Sequence, residues 1–242
     1  MPFRATARRT FTRTAAGRSV TEQQPAAPRE PVEGRITAIQ PQERRGGRRF
    51  NVFVEGAFAF ALADDIAARL RVGEQLSRPA ADALLEQDDL RIAVETAVSF
   101  LGPRPRSERE IRQRLARRAT PPGVVDAALV KLREHGLVDD EAFARYWVEQ
   151  RQTFRPRGAR LLKAELRQKG IDVEVADGAV GVTEETADDD AYRSAVKKAR
   201  QLSGLDERTF KTRLGQFLAR RGFGWDVIQP AAQRLWREQS DA

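Results

Sequence analysis

Pairs of apolar residues four positions apart, each followed by a basic pair or a Lys-Gly step, recur three times along this chain. They are Ile111 and Leu115 before Arg117-Arg118, Leu162 and Leu166 before Lys169-Gly170-Ile171, and Leu214 and Leu218 before Arg220-Arg221-Gly222-Phe223. A spacing of four puts both residues on one face of a helix, and the basic residues fill the remainder. The first two copies open alike, with Arg104-Pro105-Arg106-Ser107 and Arg155-Pro156-Arg157-Gly158, whereas the third has Glu207-Arg208-Thr209-Phe210 at the matching place. Self-similarity at a fixed period of about fifty residues predicts a repeat architecture, in which each unit buries its apolar face by stacking on the next.

Each copy sits between two further helical patterns, so the expected unit is three helices. In the first unit, Ile92, Ala93, Ala97 and Phe100-Leu101 form one stripe. Ser107 with Glu110 is a capping box for the second helix. Val124, Val125, Ala128, Leu129 and Leu132 mark a third helix that ends near His135-Gly136. The second unit opens at Asp139-Asp140, carries Phe143, Tyr146, Trp147 and Val148, and continues through 159–168 and 173–180. The third opens at Asp188-Asp189-Asp190 and ends on Trp225, Val227, Ile228, Leu235 and Trp236.

Ahead of the repeats the period changes to two. Residues 35–39, then Phe50, Val52 and Val54, then 58–62 predict three antiparallel strands, with turns at Gly46-Gly47 and Glu55-Gly56. Asp64 or Asp65 is expected to cap a short helix, 73–76 to add a brief extended piece, and a linking helix to run from about Pro79 to Gln87. The first 32 residues hold Arg4, Arg8, Arg9, Arg13, Arg18 and Arg29 among Thr, Ala and Pro, the composition of a disordered arm. The expected fold is therefore mainly α: tandem three-helix repeats in an elongated, curved array, preceded by a small antiparallel β-sheet and the arm. The expected divisions are 1–32 arm, 33–78 β subdomain, 79–138 linking helix and first repeat, 139–187 second repeat and 188–242 third repeat.

Composition then narrows the function. The 242 residues include no cysteine, which excludes disulfide frameworks, thiol nucleophiles and thiolate metal sites. No apolar run approaches the roughly twenty residues that span a bilayer, so a soluble, cytoplasmic protein without a membrane partner is expected. The formal charge is +8, and Arg104, Arg106, Arg109, Arg112, Arg114, Arg117 and Arg118 face only Glu108 and Glu110 in their stretch. Clustered arginine offers forked donors to phosphate or carboxylate, so an acidic partner is expected.

Catalytic chemistry has little to stand on. His135 is the single histidine and stands at a helix end, where capping the last carbonyls is its expected role. There is no phosphate loop of the G-x-x-x-x-G-K-S/T kind and no Ser-His-Asp set in sequence reach. The aspartates at 139–140 and 188–190 stand where helices begin, and carboxylates there complement the helix dipole. Trp147, Trp225 and Trp236 recur at helical spacing from other apolar residues and are expected in the core. No cofactor or metal is expected, and the protein reads as a binder rather than an enzyme.

In order and spacing, several segments resemble the RecX family, regulators of the RecA recombinase. They are Phe100-Leu101, Arg106-Ser107-Glu108-x-Glu110-Ile111, Leu132-x-x-x-Gly136-Leu137-Val138-Asp139-Asp140-x-x-Phe143-Ala144, Arg155-Pro156-Arg157-Gly158, Glu165-Leu166 and Lys169-Gly170-Ile171. The resemblance runs from residue 33 to about 238. It implies a monomer that lodges in the groove of the RecA-DNA filament, lowers ATP hydrolysis and strand exchange, and acts in DNA repair, recombination and the SOS response, with only weak binding to single- or double-stranded DNA. Onto that surface we place Arg104, Arg106, Arg109 and Arg112 of the first unit and Arg155, Arg157, Arg160, Lys163 and Arg167 of the second, all expected on exposed entry loops or helix faces away from the buried pairs, and charge reversal at Arg106 and Arg157 is expected to leave folding unchanged. The competing expectation is a nucleic-acid-binding adaptor that works on DNA or RNA without a recombinase.

Overall fold

The computed structural model describes residues 32–42 and 49–240. The basic arm and the expected Gly46-Gly47 turn lie outside these residues. Within them the chain begins with a sheet of β1 (Gly34–Pro41), β2 (Arg49–Val54), β3 (Ala57–Ala63) and β4 (Gln75–Leu76), in the order β3-β2-β1-β4 with every pair antiparallel. The period of two is that of the strands: Ile36, Val52, Val54, Phe60 and Leu62 point inward and are buried. Glu55 and Gly56, both at positive φ, make the two-residue turn between β2 and β3 whose twist matches that of the strands. The extended piece at 73–76 supplies the fourth strand, pairing Leu76 with Gly34. Helix α1 (Asp64–Ala67) follows β3, but its N-cap is Ala63, with Asp64 and Asp65 in the first turn rather than capping.

The linking helix differs from expectation. Helix α2 runs unbroken from Arg78 to Leu101, with Ser77 accepting from Ala80 N–H at its start, where the sequence pattern predicts two helices. The polar stretch at Gln87-Asp88-Asp89 reads as a break because Asp88 sits on the buried face. In the structure its carboxylate accepts from both Nη atoms of Arg49 (3.1 and 2.8 Å) and from Ala63 N–H (2.9 Å), so a charged residue is held inside the fold by strand donors. The first half of α2 closes the sheet with Ala81 and Leu85. Its second half supplies Ala93 and Ala97 to the core of the first repeat.

Three helical units follow. The first joins that half of α2 to α3 (Glu108–Ala116) and α4 (Pro122–Glu134). The second is α5 (Asp140–Phe154), α6 (Ala159–Gln168) and α7 (Val173–Gly181), and the third is α8 (Ala187–Gln201), α9 (Glu207–Arg220) and α10 (Trp225–Ser240). Each has its own core, and the apolar pair read from the sequence lies at its centre: Ile111 and Leu115, Leu162 and Leu166, and Leu214 and Leu218 are all 0% exposed. The helix ends follow local chemistry. Ser107 and Glu110 form the reciprocal capping box, Asp139 accepts from Ala142 N–H, and His135 Nδ1 lies 2.7 Å from Lys131 O at the end of α4. Trp147 and Trp236 pack against the cores of their units. Trp225 does not: it is 69% exposed at the start of α10, so that expectation is corrected. Helical spacing alone does not reveal that a first-turn side chain projects past the end of the packed face.

Separate cores predict local damage. Leu166→Ala is expected to cost about 2–5 kcal/mol. Hydrogen exchange should quicken across residues 139–180 and at the facing ends of the neighbouring repeats, while β1 to β3 keep their protection. Equal acceleration in the sheet would mean one cooperative core.

Candidate partner-binding surface

The middle helices α3, α6 and α9 are joined end to end. Ser107, the N-cap of α3, donates its hydroxyl to Lys169 O, the C-cap carbonyl of α6, at 2.7 Å. One repeat further on, Gly158 N–H, at the N-cap of α6, donates to Arg221 O, the C-cap carbonyl of α9, at 2.9 Å. A helix C-terminus leaves carbonyls without intrahelical donors, and here the adjoining helix supplies one. The junction also sets the positive end of one helix dipole on the negative end of another.

The segments flanking this junction are shaped for close approach. Gly170 and Gly222, just past the C-caps of α6 and α9, have φ of +84° and +88° and close those helices in the left-handed region that favours glycine. A Cβ on Gly158 would stand 2.2 Å from the backbone carbon of Gly222, and one on Gly222 would stand 2.5 Å from Leu161 Cβ. At the junction of the first two repeats the Ser107 side chain is the donor, and Gly170 lies against the stem of Arg109. Polar contacts complete each seam. Glu108 N–H donates to Asp140 (2.9 Å), Lys169 reaches Glu110 (2.7 Å), Gln152 reaches the buried Asp190 (2.7 Å), and Ser194 Oγ reaches Pro156 O (3.5 Å).

The arginines of the two R-P-R segments are bound largely within their own units. Arg104 is paired with Glu110 at 3.0 Å. Arg106 lies over the Phe100 ring, 4.0 Å from its centroid, and donates to Phe100 O. Arg157 is paired with Glu165, which also accepts from Trp147 Nε1 and Arg151 Nε at 2.9 Å each. Arg112 and Lys163 occupy equivalent positions 51 residues apart and bind the third helix of their own unit, through Asp126 (2.5 Å) and Asp177 (2.9 Å) respectively. The expectation that these basic residues are exposed is therefore corrected for four of the nine. Arg104, Arg106, Arg157 and Lys163 are half-buried, and Arg112 is exposed but bound to carboxylates. Arg109, Arg155, Arg160 and Arg167 are exposed and form no ion pair among the described residues. Arg109 and Arg160, again equivalent, reach across the seams, Arg160 donating to Ala219 O at 2.8 Å.

The electrostatics follow from this crowding. Burial first, and then Arg151, Arg221 and Arg155, lower the Arg157 pKa from its ordinary value. Burial and Arg155 do the same for Arg221. Burial opposes ionisation of Glu110, yet the bonds from Arg104 and Lys169 outweigh it and hold its carboxyl below the usual glutamate value. The residues missed from the sequence are the acceptors: Glu110 beyond its capping role, Glu165, Asp140, and the carbonyls before Gly170 and Gly222. Recurrence of Lys169-Gly170 and Arg221-Gly222 at one distance past a buried leucine was the available signal.

Comparison with known proteins places each unit in turn. The first three-helix domain of the RecX family matches residues 93–132, the second 139–180 and the third 187–237. This chain belongs to the RecX family. The regulatory protein RecX of Levilactobacillus brevis is 30% identical over 195 residues, covering 79% of this chain and 73% of its own length. That of Amycolatopsis mediterranei is 38% identical over 147 residues, 60% of this chain and 84% of its own. A crystal structure of a regulatory protein RecX superposes with a TM-score of 0.67 at 28% identity, covering 82% of this chain and 98% of that one. The relatives are named as regulatory proteins, and the three-helix domains are those of the family. No helix among the described residues is long and apolar enough to cross a membrane.

Two substitutions test the seams. Gly158→Ala places a methyl group inside the backbone of the neighbouring repeat and should lower the melting temperature clearly. Gly123→Ala, where a Cβ meets nothing, should not. Unchanged melting of Gly158→Ala would show that the second and third repeats do not hold this junction in solution. Charge reversal separates the arginines in the same way. Arg157→Glu, which sets a second carboxylate against Glu165, should cost about 2 kcal/mol or more. Arg155→Glu and Arg167→Glu should stay within about 0.5 kcal/mol of wild type in a denaturation experiment.

Proposed function

We propose that this protein is a non-enzymatic regulator that binds the RecA-DNA filament and lowers its ATP hydrolysis and strand exchange during DNA repair and recombination. The observation that carries the proposal is membership of the RecX family across all three three-helix domains, in order. The physical arrangement supports it. End-to-end seams hold successive units in a fixed line, and a filament groove is a partner that repeats along a line. The exposed arginines 109, 155, 160 and 167 add weak contacts with the phosphates or carboxylates of such a groove, and contacts on linked modules combine into tight, salt-sensitive binding. Crowding of Arg155, Arg157 and Arg221 maintains a positive field at the junction of the second and third repeats. We further propose that the chain divides functionally at residues 33–78, 79–138, 139–187 and 188–242, and that it acts as a cytoplasmic monomer.

The test is the single-stranded-DNA-dependent ATPase of the cognate RecA with this protein titrated in. Suppression is expected below one protein per RecA protomer, because a ligand lying along several protomers disturbs more than one. Arg155→Glu/Arg167→Glu should need several-fold more protein for the same effect and show a shallower salt dependence. Hydrolysis that stays constant at excess protein would remove the proposal. Equal affinity for naked DNA and for the filament would point instead to a nucleic-acid-binding adaptor.

A further inference from the structure

Where α2 passes from the sheet to the first repeat, it leaves an open groove of about 560 Å³. Its lining includes Arg49, Arg91, Thr96, Ser99, Arg114 and Arg118. Two of the four arginines are already matched. Arg49 is bound by Asp88, and Arg91 by Asp64 (3.2 Å), Asp65 and Glu95 (3.0 Å). Arg114 and Arg118 have no carboxylate partner among the described residues. Arg118 Nη1 donates to Thr96 Oγ1 at 3.3 Å, which leaves the Thr96 hydroxyl proton to be donated elsewhere. Arg114 lines the groove with its guanidinium 5.5 Å from the Phe100 ring centroid, and its buried Nε has no hydrogen-bond partner.

We propose that this groove is a binding site for a phosphate group, presented by a polynucleotide strand. The donors come from two helices, hydroxyls from α2 and guanidinium groups from α3 and the turn after it, and so approach from different directions. A tetrahedral oxyanion offers acceptors in several directions, whereas a carboxylate offers two in one plane. The groove is much larger than a phosphate ion, which fits a phosphate carried on a strand. Thr96, Ser99, Arg114 and Arg118 all lie outside the surface assigned to the filament, and the site does not depend on a recombinase.

The experiment uses the full chain without recombinase and reads fluorescence anisotropy of a labelled oligothymidylate. Arg114→Gln/Arg118→Gln should weaken binding about tenfold, the scale of removing charge-assisted hydrogen bonds. The slope of log affinity against log salt should fall by about 0.7 for each phosphate that is no longer neutralised. Arg208→Gln/Arg213→Gln, an equal loss of charge at exposed positions of α9, should change affinity much less. If the groove variant melts early, the exposed Arg118→Gln alone carries the test. Thermal-shift titration with inorganic phosphate and with a nucleoside triphosphate separates the sources. Stabilisation of wild type that the groove variant lacks, without strand binding, would keep the phosphate site and assign it to a small ligand. Equal weakening in groove and α9 variants, or none in either, would overturn the proposal.

Discussion

Everything downstream of the sheet depends on one contact, the meeting of a helix N-cap with the C-terminal carbonyl of the middle helix in the next unit. Each repeat buries its apolar residues in its own core, so hydrophobic burial does not determine how one repeat is placed on the next. The bonds from Ser107 to Lys169 O and from Gly158 N–H to Arg221 O provide that placement. A hydrogen bond of this kind has a modest net value, but leaving its carbonyl buried and unpaired would cost more, so the geometry is selected by what the alternatives lose. Glycine at 158 and 222 then sets how near the two backbones can come.

The ends of the array show the same rule in reverse. Past the C-cap of α3, the position equivalent to Gly170 and Gly222 is Ala119, at φ +55°, and no preceding repeat docks on it. At the other end, α9 begins at Glu207 with Asp206 accepting from Thr209 N–H, so the segment matching the R-P-R loops is an extra helical turn. Ser107 caps its own helix and still has a hydroxyl proton to donate to Lys169 O, whereas the Asp206 carboxylate that caps α9 has none to give. The third copy of the repeat therefore departs from the other two where its physical duty differs, while Leu214 and Leu218 keep theirs.

This explains which parts of the molecule were legible in sequence. Buried pairs four apart, a period of about fifty residues, the capping box at Ser107 and the alternating strands are local or periodic signals, and each survives in the structure. The break expected within α2 is absent because Asp88 obeys a tertiary partner, Arg49, that lies 39 residues away. The arginines misled in a similar way. A run of basic residues reads as a solvated face because the sequence does not show that Glu165 faces Arg157, or that Phe100 lies beneath Arg106. What repetition did offer was equivalence: Arg112 and Lys163, with Asp126 and Asp177, keep one spacing in both units and form the same ion pair twice.

The division of labour among the arginines bears on how such a chain can bind a partner and still hold its shape. Arginine suits both tasks because its fork bridges carboxylates and carbonyls within the protein and phosphates outside it. Arg104, Arg106 and Arg157 are bound to Glu110, the Phe100 ring and Glu165 within their own units, so releasing them to a ligand would cost those contacts. Those one turn further out, such as Arg155 and Arg167, contribute to the field without contributing to the seam. A partner that drew Arg157 away from Glu165 would have to replace that carboxylate, whereas one that met Arg155 would find a charge beside Arg157 and Arg221, which repel it. Positive charge is thus concentrated beside the junction of the second and third repeats, where Arg155, Arg157 and Arg221 crowd one another.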